Sequence, residues 1–159
     1  MHRIALIVLL MASMLACAGC GPGYTDDGPR AAGSAISAKR LWRVSGELAN
    51  AQAATDGDTG TCAVSGPTYT NATLMLDLGK PSVFNMLVLD QAGDPAGYPR
   101  RLAVQTSMDG RNFSQVATVP GNRRYTIISL IAPTLARYVR LQVLHQGERP
   151  WNIAEIYIQ

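Results

Sequence analysis

The loop Asp56-Gly57-Asp58-Thr59-Gly60-Thr61 puts two carboxylates, two side-chain hydroxyls and two glycines into one short stretch. Hard cations such as calcium take several oxygen ligands at once, from carboxylates, hydroxyls and carbonyls. Glycine lets the backbone turn its carbonyls inward. The same residues also suit an Asp-Gly turn closed by side chain-to-backbone hydrogen bonds, and both readings stand at this stage. Two further segments mix aromatic and polar side chains, as sugar sites do when they set a few fixed polar groups beside an apolar platform. One holds Asp90, Gln91, Asp94, Tyr98 and Arg100; the other holds His145, Gln146, Glu148, Arg149 and Trp151. Trp151 directly precedes an apolar stretch, so packing competes with ligand contact as its role. Arg40-Leu41-Trp42-Arg43 is a basic-aromatic cluster that suits either anionic lipid or the start of a packed domain.

Catalytic constellations are missing from the sequence after its first forty residues. There is no serine in a nucleophile elbow, no H-x-x-x-H or C-x-x-C pair and no phosphate-cradling glycine loop. Cys62 has only His145 as a conceivable base there. The expectation is a protein that binds and does not catalyse. The formal charge of +3 is too small a bias to argue for nucleic acid.

The elements that must position these residues are short strands. In Thr73-Leu74-Met75-Leu76-Asp77-Leu78 the three leucines share one face, and Gly79-Lys80-Pro81 ends the run. Residues 83–89, 102–107, 113–119, 125–130, 138–144 and 153–158 read as further strands. Asp109-Gly110 marks a tight turn between two of them. Val139, Leu141 and Val143 alternate against Arg140, Gln142 and Leu144, and Ile156 and Ile158 are in register. No window combines helical periodicity with caps. The spacing predicts an all-β fold, an antiparallel jelly-roll sandwich, although one antiparallel barrel fits the periodicity equally well.

The chain opens with Met1-His2-Arg3, an uncharged apolar run over residues 4–18, then Gly19-Cys20. A short basic start, an apolar core and small residues at a cleavage point form a secretory signal peptide. The stretch Leu15-Ala16-Cys17-Ala18-Gly19-Cys20 resembles the lipobox of bacterial lipoproteins, in which the cysteine is lipidated. Cys20 is the first candidate and Cys17, after Met14-Leu15-Ala16, the competing frame; a soluble secreted protein is the alternative. Residues 21–40 are rich in Gly, Pro, Ala and Ser and read as a flexible linker. The organisation expected is therefore 1–20 leader, 21–40 linker and 41–159 folded domain. Cys62 is the sole cysteine after the leader, so no disulfide staples that domain.

Five phrases, in order, resemble the discoidin family, also called the coagulation-factor 5/8 type C domain and related to family 32 carbohydrate-binding modules. They are Ala54-Thr55-Asp56-Gly57-Asp58-Thr59-Gly60-Thr61, Leu76-Asp77-Leu78-Gly79-Lys80-Pro81, Tyr98-Pro99-Arg100 leading to Ser107-Met108-Asp109-Gly110-Arg111-Asn112-Phe113, Ala136-Arg137-Tyr138-Val139-Arg140-Leu141, and Trp151-Asn152-Ile153-Ala154-Glu155-Ile156. Phe113 stands in the place of a family tryptophan, and Cys62-Ala63-Val64 follows the acidic loop where tryptophan is common. The resemblance implies an eight-stranded jelly roll of galactose-binding type. It implies a structural calcium held by Asp56, Asp58, Thr61 and Glu155, with the carbonyls of Ala54 and Ala154. It also implies a sugar site in which Arg100 and His145 meet hydroxyls, with Tyr98 and Trp151 beside them. The whole reads as a lipid-anchored module, exported and retained at the outer membrane because Gly21 is not the aspartate that holds lipoproteins inside. Its expected ligand is a carbohydrate at the cell envelope. The rival reading is a β-sandwich that docks onto an envelope protein.

Overall fold

The computed structural model describes residues 36–159; the leader, Cys17, Cys20 and most of the expected linker lie outside that range. Eight strands follow in order: β1 (Arg43–Gly46), β2 (Ala63–Val64), β3 (Thr73–Asp90), β4 (Arg101–Ser107), β5 (Ser114–Pro120), β6 (Tyr125–His145), β7 (Asn152–Ile153) and β8 (Glu155–Ile158). All pairings are antiparallel. Two short 3₁₀ turns, Lys39–Leu41 and Ala51–Thr55, are the only helical pieces among the described residues.

Two strands are far longer than their sequence predicts. β3 runs through Gly79-Lys80-Pro81, where a strand end was expected, and β6 joins the two runs expected at 125–130 and 138–144. The ladder between them breaks twice, at Asp77/Ser82 and at Phe84/Met86. The first break leaves four residues of β3, including Pro81, opposite Arg137 alone. The second leaves four residues of β6, including Pro133, opposite Asn85. Proline has no N–H for a ladder and is tolerated at such bulges. Turn residues that punctuate a strand in sequence thus bend one here. The early half of β3 pairs with β1 and the late half with β8, so the two strands carry the chain from one layer to the other.

The interior matches the alternation read from the sequence. Leu74, Leu76 and Leu78 are buried, as are Val139, Leu141, Val143, Ile156 and Ile158. They pack with Leu102, Val104, Phe84, Ile128, Trp42 and Trp151 in one core. Folded structure begins before residue 41. Ser37 is buried, its hydroxyl donates to the Leu78 carbonyl, and its amide donates to Ser82 Oγ at 3.3 Å. The Trp42 indole N–H donates to Ser37 Oγ at 2.9 Å, which locks the first residues across the bend of β3.

Two carboxylates secure the surface of this frame. Arg137 grips Asp77 with two hydrogen bonds of 2.9 Å at the first bulge and holds its carboxyl below the usual carboxylate range. Asp109 accepts the amides of Asn112 and Arg111 and the Asn112 side-chain amide, which depress its carboxyl further. Gly110 beside it has φ 72°, a left-handed conformation that suits glycine. Both carboxyls titrate below the value of about 3.9 of an unfolded aspartate. Their stabilisation is therefore complete above that value and lost as pH falls through the folded-state pKa. The melting temperature should be flat from pH 7 to pH 5 and fall below about pH 4. In Asp77→Asn/Asp109→Asn the acid limb should flatten; an unchanged limb contradicts the assignment.

Candidate functional site

One end of the sandwich is built by the loop between β3 and β4 and the segment between β6 and β7. Their backbones are fixed by a web of polar contacts. Asn152 donates from Nδ2 to the Asp94 carbonyl at 2.7 Å, and its Oδ1 accepts the Asp94 amide at 3.3 Å. Gln146 Oε1 accepts the Tyr69 and Thr70 amides at 3.0 and 3.2 Å. The Tyr69 hydroxyl accepts the Gly147 amide at 2.6 Å and donates to the Arg149 carbonyl at 2.9 Å.

Between these segments lies a depression of about 300 Å³ lined by Cys62, Val64, Gly93, Asp94, Arg149, Pro150 and Asn152. On its lining Arg149 Nε donates to Asp94 Oδ2 at 2.5 Å, and Asp94 Oδ1 accepts the Ala96 amide at 3.1 Å. Gly93 sits so close to Cys62 that an added Cβ would collide with its Sγ, so a larger residue would crowd the floor. Cys62 also borders a second, wider depression of about 700 Å³ along Gln52, Asp56 and Thr61. The two share Cys62 in their lining.

The predicted ligand residues fall in different places. Tyr98 and Arg100 do meet, with the Tyr98 hydroxyl accepting from Arg100 Nη1 at 3.0 Å. Arg100 Nη2 also donates to Glu148 at 2.6 Å. The Arg100 amide donates to the His145 carbonyl at 2.9 Å, but the residue directly opposite His145 in the ladder is Arg101. His145 itself is exposed at the strand end. Trp151 is fully buried in the core, with its amide on Ser65 Oγ, and offers no face to a ligand. Asp90 and Gln91 are buried as well, the first beside Arg124 and the second donating to Thr126. An aromatic or polar residue beside a strand is thus an ambiguous sign, because the strand's inward face also takes such residues, here even with Gln91 Oε1 and the Trp151 indole N–H buried without a hydrogen-bond partner among the described residues.

The acidic loop is closed upon itself. Asp56 accepts the Asp58 amide at 2.8 Å and the Thr61 hydroxyl at 2.7 Å, and Asp58 accepts the Gly60 amide at 2.8 Å. The Thr61 hydroxyl bond is the main cause of a lowered Asp56 carboxyl pKa, with smaller help from the Asp58 amide and Lys39. Glu155 is buried at 1 % exposure, and its Oε1 lies 2.5 Å from Lys39 Nζ. Ala54 and Ala154, expected to lend carbonyls, are both buried. Among the described residues no three His, Cys, Asp or Glu side chains gather as a metal site.

The sequence model of the F5/8 type C domain matches residues 33–156. The chain belongs to the F5/8 type C domain family. Solved structures of carbohydrate-binding modules share the fold. A Clostridium perfringens family 32 module in complex with GalNAc-β-1,3-galactose superposes with a TM-score of 0.69 at 19% identity, covering 79% of this chain and 99% of that one. The family 32 module of NanJ from C. perfringens, solved with galactose, gives 0.66 at 18%, covering 79% and 97%. A selenomethionine-labelled mutant of chitosan-binding module 1, from a Paenibacillus chitosanase/glucanase, gives 0.64 at 22%, covering 79% and 98%. No curated protein matches the chain. These likenesses establish for this F5/8 type C domain the jelly-roll sandwich expected from its strands. Three contributors in this domain carry no sequence signal of their own: Asn152 as the brace of the 94–97 turn, the Tyr69 hydroxyl under Gly147, and Lys39 on Glu155.

Proposed function

We propose that the chain is a lipid-anchored, extracytoplasmic binding module that holds a carbohydrate in the depression lined by Asp94 and Arg149. One observation carries this reading: a charged pair lines a depression of sugar-ring size at the loop end of a fold whose solved neighbours include complexes with galactose and GalNAc-β-1,3-galactose. Asp94 supplies acceptors for hydroxyls, Arg149 supplies donors, and Pro150 and Val64 give apolar contact, while Asn152 braces the wall through its bonds to the Asp94 and Gly97 carbonyls. Tyr98, Arg100 and Glu148 lie on the same two segments and extend the polar rim. The leader with Cys20 or Cys17 supports export and lipid attachment, and Cys20→Ser should move the protein from the membrane fraction to the soluble one. No helix among the described residues is long and apolar enough to cross a membrane.

A glycan array probed with the purified protein tests the ligand class. A saturable hit that free sugar competes away supports the reading. A blank array from folded protein overturns it and favours a protein partner. For that partner the outer face offers Tyr157, Val88 and Ile127 in one cross-strand row, with Tyr157 and Ile127 exposed.

A further inference from the structure

We infer that the ammonium of Lys39 is the cation that closes this domain, standing where the sequence pattern would put calcium and making the fold independent of a metal. The starting point is Glu155, a carboxylate buried at 1 % exposure on β8. A buried charge is costly unless a partner of opposite charge meets it. Lys39 Nζ lies 2.5 Å from Glu155 Oε1, a close charge contact that falls outside hydrogen-bond geometry. The ammonium also lies 4.6 Å from the centre of the Tyr157 ring and 6.0 Å from that of Trp42, an environment that favours a cation.

Its placement is built and not casual. Lys39 opens the 3₁₀ turn Lys39–Leu41, which lies between Ser37 and Trp42. Ser37 is tied to Leu78 and Ser82 of β3, and Trp42 is tied back to Ser37. The turn therefore delivers the side chain to the last strand as the first segment docks.

The other expected calcium ligands are engaged with one another in this arrangement, and among the described residues no three acidic, His or Cys side chains gather around one point. Calcium takes six to eight oxygens. Asp56 and Asp58 are hydrogen-bonded to the amides of Asp58 and Gly60, and the Thr61 hydroxyl donates to Asp56. An ion reaching Glu155 would have to expel an ammonium already in contact with it, against like-charge repulsion at a few ångströms. A single lysine side chain thus joins the residues that precede β1 to the strand that ends the chain. The joint is independent of the sugar-binding proposal.

Melting of the purified protein in chelator and in millimolar calcium tests the inference directly. The two melting temperatures should coincide. A rise of several degrees in calcium, reversed by chelator, would overturn it. Lys39→Met keeps the aliphatic stem but strands the Glu155 carboxylate, and should melt roughly 5–10 °C lower. Lys39→Met/Glu155→Gln should recover part of that loss, because neutralising the carboxylate removes the stranded charge. A Lys39→Met protein that melts like the parent would also overturn the inference.

Discussion

Truncating Trp151 to alanine is expected to destabilise the fold strongly, with any loss of ligand binding following from that lost stability. The residue is the largest of the fully buried side chains and has no exposed surface. Its amide donates to Ser65 Oγ and its carbonyl accepts the Ser65 amide, both at 2.8 Å, so it also fastens the segment that follows β2 to the end of the sandwich. Removing a buried tryptophan side chain costs about 3–5 kcal/mol, because the transfer energy is lost and a cavity remains. Against a total stability of about 5–15 kcal/mol that is a large share. For a domain of this size it corresponds to a fall in melting temperature of roughly 10–20 °C. Trp151→Phe keeps much of the packing and should lose far less. Thermal unfolding followed by circular dichroism decides the matter. A Trp151→Ala protein that melts within about 2 °C of the parent yet loses its ligand would restore the residue to the binding face.

That residue marks the boundary of what the chain reveals without its fold. Alternation identified the inward faces of β3, β6 and β8 because burying one side of a strand forces a period of two. Leu74, Leu76 and Leu78 repeat the rule often enough to be unambiguous. Asp109-Gly110 was legible for a local reason: its hydrogen bonds all close within a few residues. Trp151 stands alone at a strand end, so no neighbour of matching period says which way it faces. Gly79-Lys80-Pro81 marks a departure from regular pairing, and local sequence does not tell a strand end from a bulge that the partner strand accommodates. The candidate site suffers most, since its decisive contacts are long-range. Arg149 finds Asp94 55 positions away. Lys39 lies in a stretch whose small-residue composition reads as linker, and its reason for being ordered sits on the last strand. Composition carries no information about such a partner.

Arg149→Ala is expected to weaken carbohydrate binding about 10- to 150-fold while leaving the fold intact. The guanidinium is 61% exposed and its partner Asp94 29%, so the pair resembles a surface ion pair. Pairs of that kind contribute about 0–1 kcal/mol to stability, and a shift in melting temperature of more than a few degrees is not expected. Binding is different. Hydrogen bonds from a charged group to a ligand are worth about 1.5–3 kcal/mol, and each 1.4 kcal/mol is tenfold in affinity. Asp94→Asn separates the two roles of its carboxylate. It keeps an oxygen for the Ala96 amide, so the turn survives, but replaces the charged partner that holds Arg149. Its affinity loss should lie between the parent and Arg149→Ala. Titration calorimetry with the best array ligand measures all three proteins. Arg100→Ala, whose side chain reaches Tyr98 and Glu148 but does not line the depression, should lose less. If Arg100→Ala loses the ligand and Arg149→Ala does not, the sugar lies on the Tyr98 side of the loop and the Asp94–Arg149 depression is not its site.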